Sequence, residues 1–149
     1  MHERAKRPRR KVRELPPDAC FACGTTMREA RGRLSLPING EKVLAPATYL
    51  LCPRCGEIVL RAHEARRLDE DAIAIYRKRH GLLSADEMRA IRDRLGLNQA
   101  TLARLLGLGA NTISRWEAGR NVQSVAMDIL LRLVRDVPGS VAYLRKRAA

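Results

Sequence analysis

Two matched Cys-x-x-Cys-Gly knuckles flank a stretch of alternating apolar residues broken by Asn-Gly, and the second half of the chain is a series of short capped helices separated by glycines. These observations predict an α+β fold: a small metal-stabilised β domain followed by an all-α domain. At 149 residues with 46% hydrophobic content, the chain is long enough for one ordinary domain or two small ones. Lys plus Arg is 29 against 16 Asp plus Glu, giving a formal net charge of +13. Aromatics are only 3%, which argues against a stacking platform for single-stranded nucleic acid. No stretch approaches the roughly 18 apolar residues of a membrane span, and no apolar h-region follows the basic N-terminus. The expectation is a soluble, cytoplasmic protein with no membrane partner, attracted to polyanions such as double-stranded DNA.

Of residues 1–18, the first 17 carry Arg4, Lys6, Arg7, Arg9, Arg10, Lys11 and Arg13 against Glu3 and Glu14, with Pro8, Pro16 and Pro17 and almost no apolar residues. That composition predicts a disordered basic tail. A solubilising role and a phosphate-binding role both fit it.

Residues 19–61 are expected to form the zinc-binding domain. Cys20 and Cys23, then Cys52 and Cys55, sit in two knuckles that each end in glycine, Gly24 and Gly56. A C-x-x-C turn aims two thiolates at one ion, and the glycine lets backbone N–H groups face the sulfurs. Four thiolates make the closed tetrahedral set of a structural zinc site, one Zn2+ per chain. The 28-residue spacer exceeds the common range of about 15–20, but loop-closure entropy grows slowly with length. Two disulfides would need an oxidising compartment, and one redox pair would explain one motif but not two. His2, His63 and His80 are not needed as ligands. A closed thiolate set leaves no open position for a water nucleophile. With no Ser/His/Asp set, carboxylate cluster or phosphate loop, an enzyme is not expected.

Inside the spacer, Leu34, Leu36 and Ile38 alternate with polar or small residues. Asn39-Gly40 follows, then Val43, Leu44 and Tyr49–Leu51. Asn-Gly between such runs predicts a hairpin with a type I′ turn, and Pro37 and Pro46 point to edge positions. Residues 62–83 predict a helix to about His80, with Ala65, Leu68, Ala72 and Ile75 at helical spacing and Arg66, Arg67, Glu70, Asp71, Arg77 and Lys78 as a solvated face. This segment is either the end of the zinc domain or a helical linker.

Residues 84–149 open on Ser84-Ala-Asp-Glu87, a capping box, followed by Met88, Ile91 and Leu95 on one face. Asn98 is placed to cap a second helix with Leu102, Ala103 and Leu106 inward. Gly107-Leu108-Gly109 is a tight turn, and a short third helix from about Ala110 to Ala118 turns Ile113 and Trp116 inward. Two helices of about eight residues joined by such a turn are a helix-turn-helix. Its second helix then exposes Asn111, Thr112, Ser114 and Arg115. Asn reads adenine and Arg reads guanine in bidentate fashion, and a four-residue spacing puts Asn111 and Arg115 on one face. Ala110 lies at the start of that helix. Gln99, Thr101, Thr112, Arg120 and Asn121 are candidates for phosphate contacts. Ser124 caps a further helix with Val125, Ile129, Leu130, Leu133 and Val134, and a last short helix carries Val141 and Leu144. These apolar C-terminal helices are the expected homodimer surface, which would present two recognition helices to a palindromic operator. Packing within a monomer is the alternative.

Residues 107–119 read Gly-Leu-Gly-Ala-Asn-Thr-Ile-Ser-Arg-Trp-Glu-Ala-Gly behind the paired knuckles. In that order the two motifs resemble the MqsA-type antitoxin family, a YgiT-type zinc finger plus an Xre/Cro-like helix-turn-helix. The resemblance covers about residues 19–149. It implies a type II antitoxin whose zinc domain binds and neutralises a cognate toxin, an mRNA-cleaving ribonuclease. It also implies a C-terminal domain that dimerises and represses its own operon. By match to the motif, Asn111 and Arg115 would carry base contacts and Cys20, Cys23, Cys52 and Cys55 the zinc. The basic extension, residues 1–18, departs from the family pattern. The alternative function is an Xre-family transcriptional regulator with no toxin partner.

Overall fold

The computed structural model describes residues 16–148. The expected disordered tail therefore falls outside the described residues except for Pro16, Pro17 and Asp18. The carbonyls of Pro16 and Asp18 accept hydrogen bonds from the amides of Ala19 and Met27.

The N-terminal half is a hairpin, β1 (Arg28–Ile38) and β2 (Glu41–Leu51), extended by a two-residue strand, β3 (Ile58–Val59), in the antiparallel order β1-β2-β3. Asn39 and Gly40 both have positive φ, 48° and 82°, as the type I′ turn requires. That turn pairs Ile38 with Glu41 and sets the register of the whole ribbon. Hydrogen-bonded and non-hydrogen-bonded pairs alternate from there, so the pairs Pro37–Lys42 and Arg33–Pro46 need no amide from either proline. The prolines are thus tolerated by register, Pro46 even within the middle strand, which β3 flanks only at Leu50 and Leu51. One face of the hairpin is apolar. Val43 and Ala45 are fully buried there, flanked by Leu34, Leu36, Ile38 and Ala47. Tyr49 lies over Gly32, where any Cβ would meet its hydroxyl at 2.9 Å.

Helix α1 (Ala62–Arg79) lays Leu68 and Ala72 on that face, with Ile75 and Tyr76 beside them. The segment that the sequence left as domain end or linker is thus packed on the sheet. At the hairpin tip Glu41 holds Arg79 and His80, the latter at 2.7 Å. The expected solvated face is only partly so: Arg77 is 3% exposed, and Ile73 is also buried.

The C-terminal half contains α2 (Ala85–Arg94), α3 (Gln99–Leu105), α4 (Thr112–Glu117), α5 (Val125–Asp136) and α6 (Ser140–Ala148). The expected caps form. Ser84 Oγ accepts from Glu87 N–H while Glu87 accepts from Ser84 N–H at 2.7 Å, and Asn98 and Ser124 accept from the amides of Thr101 and Met127. A common back-bond closes α1 to α4: Leu82, Leu97, Leu108 and Arg120 donate to the carbonyls of Arg77, Arg92, Ala103 and Arg115. The core is built from residues between Leu83 and Leu131, with Leu102, Ile113 and Trp116 at its centre. Among the described residues, no helix is long and apolar enough to cross a membrane.

Helix α5 divides its apolar residues between two directions. Leu131 and Val134 enter the core, while Val125, Ile129 and Leu133 point outward at 64%, 53% and 48% exposure. With Val137 they form an i, i+4, i+8, i+12 stripe covered by nothing among the described residues. Its apolar arc is wider than one packed face uses, with Asp128, Arg132, Arg135 and Asp136 together on the remaining side.

The Ser84 box is local and exposed, so its loss should show as stability alone. Ser84→Ala is expected to lower the unfolding free energy by about 1 kcal/mol. A chemical-denaturation midpoint that moves with unchanged slope would report it.

Candidate metal centre and nucleic-acid interface

The two knuckles are built alike. Gly24 N–H donates to Cys20 O and Cys20 N–H to Thr25 O; Gly56 N–H donates to Cys52 O and Cys52 N–H to Glu57 O. Each turn is completed by a glycine with φ of 73° or 77°. The knuckles converge below the open end of the hairpin. The four sulfurs of Cys20, Cys23, Cys52 and Cys55 lie within 4.8 Å of one another, with Cys20–Cys55 at 3.5 Å and Cys23–Cys52 at 3.4 Å. Four thiolates at about 2.3 Å from one tetrahedral ion stand about 3.8 Å apart, so the arrangement fits a single metal ion. The cysteines are free. Cys20 and Cys52 are buried with Met27 beneath them, and Cys55 is exposed.

The site already favours thiolate where the turns supply donors. Hydrogen bonds from the Thr25 hydroxyl and backbone lower the Cys23 thiol to about 6. The backbone amides of Cys55 and Arg54 lower Cys52. Cys55 has a pull from the Glu57 amide, but hydrogen bonding with the Cys52 and Cys20 thiols pushes it up to about 12. An ion would replace that sulfur-to-sulfur competition with shared coordination. His63 is exposed and 3.9 Å from Glu64, and His80 is engaged with Glu41. Neither belongs to the sulfur cluster.

At the other end of the molecule, α4 turns Ile113 and Trp116 into the core and leaves Asn111 and Arg115 exposed. Arg115 has no side-chain partner among the described residues. Ala110 is exposed just before the helix and Thr112 is half-buried at its start. The Ser114 hydroxyl donates to Asn111 O at 3.0 Å. The helix itself spans Thr112–Glu117, shorter than the expected Ala110–Ala118. Arg120 and Asn121 are exposed in the following loop, and Asn121 Oδ1 accepts from Val122 N–H. Thr101 is half-buried in the first turn of α3. Gln99 is less free than the sequence suggests, because its amide donates to Glu117 at 2.8 Å.

That last contact belongs to a clamp the sequence reading missed. Glu117, 3% exposed, accepts from Arg92 in bidentate fashion at 2.6 and 3.0 Å as well as from Gln99. Arg89 donates to the Glu117 carbonyl at 2.9 Å. One carboxylate thus joins α2, α3 and α4 and fixes α4 against the other two. Burial acts to raise its pKa, but the Arg92 and Gln99 hydrogen bonds prevail and hold it below the ordinary carboxylate range. The legible signal was phase. Position 117 follows Ile113 by four, so a charge there faces inward and needs a partner. A second buried polar group was also missed. Asp128 accepts from Leu83 N–H at 2.7 Å, from Gln123 at 3.0 Å and from Arg132 at 2.7 Å.

Comparison with known proteins gives two findings. The model of a family described as the antitoxin component of a bacterial toxin-antitoxin system, MqsA, matches residues 18–145. Antitoxin HigA-2 of Vibrio cholerae serotype O1 is 28% identical over 89 residues, 60% of this chain and 76% of that antitoxin.

Elemental analysis is expected to give about one metal ion per chain, and Cys52→Ser should lose it. Ordered hairpin signals should vanish with the metal, while the core between Leu83 and Leu131 stays folded because it draws on no residue of the hairpin. Glu117→Ala should cost about 2 kcal/mol, since it takes the shared acceptor from Arg92 and Gln99, although Arg92 keeps Asp93 and the Leu97 carbonyl. The Glu117 contribution has a definite pH dependence. The folded pKa is lowered, so the stabilisation is present above about pH 4.3 and is lost as pH falls through the folded value. Glu117→Gln should therefore unfold with a shallower acid dependence than the parent in a pH-resolved denaturation series.

Proposed function

The chain belongs to the MqsA antitoxin family, and from that membership we propose that it is a type II antitoxin with two working parts. The hairpin, its knuckles and α1 bind and neutralise a cognate toxin, a ribonuclease. The helix-turn-helix half binds a palindromic operator as a dimer and represses the operon that encodes both proteins. The protein acts in the cytoplasm and catalyses nothing itself. The working boundaries are 19–61 for the metal-binding domain, 62–83 for the helix that follows it and 84–149 for the DNA-binding and dimerisation domain.

The observation that carries this reading is the free face of α4. Asn111 and Arg115 stand side by side on a helix whose other face is locked into the core by Ile113, Trp116 and Glu117. Rigid presentation with unoccupied donors is what bidentate base reading needs. Ala110, Thr112 and Ser114 line the same approach, and Gln99, Thr101, Arg120 and Asn121 surround it at positions suited to phosphate oxygens. The α5 stripe of Val125, Ile129, Leu133 and Val137 supports a twofold partner. The metal is assigned as structural Zn2+, because four soft thiolates at tetrahedral spacing suit zinc and leave it no open position.

Two measurements test the proposal. Arg115→Ala should weaken binding to DNA from upstream of its own gene by about tenfold to a hundredfold, with much less effect on scrambled DNA. Equal loss on both DNAs would make Arg115 a phosphate contact and remove it from base reading. Co-expression with the adjacent gene should yield a stable complex that lacks ribonuclease activity. Absence of any complex would leave a transcriptional regulator without a toxin.

A further inference from the structure

Arg77 is buried although no carboxylate among the described residues pairs with it. It lies on α1 on the face opposite the hairpin: Leu68 and Ala72 face the sheet, whereas Ile73 and Arg77 face the helical half. Its guanidinium donates to Trp116 O at 3.1 Å, Asn121 O at 2.8 Å and Gln123 Oε1 at 3.1 Å. These acceptors sit on the last turn of α4 and the loop after it. Gln123 passes the contact inward, donating to Leu83 O at 2.8 Å and Asp128 at 3.0 Å. The cation is therefore met by carbonyl dipoles at a helix C-terminus, where partial negative charge collects.

Two openings flank this attachment. On one side a cleft of about 720 Å3 opens between the hairpin tip, α1 and residues 120–122. On the other, a groove of about 820 Å3 separates α1 from α2 and the end of α4. Between them the halves touch where Gly119 meets Glu70, its Cβ position 3.7 Å from Glu70 Cγ, and where Arg77 enters. The loop so held, 119–123, carries Arg120 and Asn121.

We propose that Arg77 is a positioning residue for DNA recognition, a side chain of the hairpin-bearing helix that sets the C-terminal end of α4 and the 119–123 loop against the operator. It touches no base or phosphate. The proposal rests on the DNA-reading role of α4 given above. Through Arg77, a displacement of α1 by anything bound to the hairpin is transmitted to the recognition helix.

The test uses the full metal-loaded chain with Arg77→Met and Arg77→Lys. Binding is titrated on DNA from upstream of its own gene and on scrambled DNA, and amide hydrogen exchange is measured without DNA. Arg77→Met should lose about tenfold on the upstream DNA and less than about twofold on scrambled DNA. Amides of 118–123 should exchange faster while those of 102–106 do not change. Arg77→Lys keeps the charge but not the fork of donors, and should fall between the two. Should Arg77→Met not fold, the Lys variant carries the same comparison. Upstream binding equal to the parent, equal loss on both DNAs, or exchange that accelerates alike in 102–106 and 118–123 would each overturn the proposal. A parent protein that does not prefer upstream over scrambled DNA would instead remove the DNA-reading role, and exchange at 118–123 alone would then decide whether Arg77 holds the loop.

Discussion

The N-terminal half depends on the convergence of four sulfurs. A two-stranded ribbon with a two-residue third strand is marginal in water, and this one buries only one face. The Asn39-Gly40 turn closes the ribbon at its tip, and the knuckles close it at the open end, where Cys20 and Cys23 precede β1 and Cys52 and Cys55 follow β2. A metal ion held there joins segments 28 residues apart and removes that loop's freedom from the unfolded chain. Only a ribbon held at both ends offers α1 a defined surface, and only a seated α1 brings Arg77 to the end of the recognition helix. The chain of dependence runs from sulfur to sheet, to helix, to the helical half.

The helical half relies on a different device. Its helices are short, α3 with seven residues and α4 with six, and helices of that length do not persist on their own propensity. Apolar packing around Leu102 and Trp116 supplies most of the cohesion, but packing alone leaves a six-residue helix free to slide or roll. Glu117, tied to Arg92 and Gln99, removes that freedom with directional bonds from two other helices. Asp128 does the same for the chain's entry into this half, through Leu83, Gln123 and Arg132. Buried carboxylates of this kind add little net stability over an apolar filling. Here they fix one arrangement of the surface that carries Asn111 and Arg115.

How much of this was legible follows from the range of each signal. The turn at Asn39-Gly40, the box at Ser84–Glu87 and the caps at Asn98 and Ser124 are local, and each stands in the structure as the residues imply. The two cysteine pairs are 28 residues apart yet were legible, because two matched Cys-x-x-Cys-Gly knuckles advertise one shared ligand. Contacts without such a label were not. Arg92 and Glu117 are 25 residues apart, and Arg77 and Gln123 are 46 apart. A charged residue in a helix reads as solvated until the second element that buries it is known. Ile73 and Arg77, four apart, held a hint of a second inward face on α1, masked by the stronger stripe through Leu68 and Ala72. In α5 the residues tell of an apolar helix but not of which part goes inward, because its apolar arc is wider than one packed face.

Helix α1 is a wall shared by two rooms, and that constrains how the chain can change. Its side chains are exchangeable within each face, but its length is not. One residue added between Ala72 and Arg77 would turn everything beyond it by about 100° and advance it by about 1.5 Å, swinging the guanidinium away from the carbonyls of Trp116 and Asn121. Seven added residues would restore the facing to within about 20° but push the two halves about 10 Å apart. A hairpin unit of another origin could therefore be joined to this helical unit only in the same helical phase. Descendants of such a fusion would drift in sequence along α1 while inheriting its residue count unchanged.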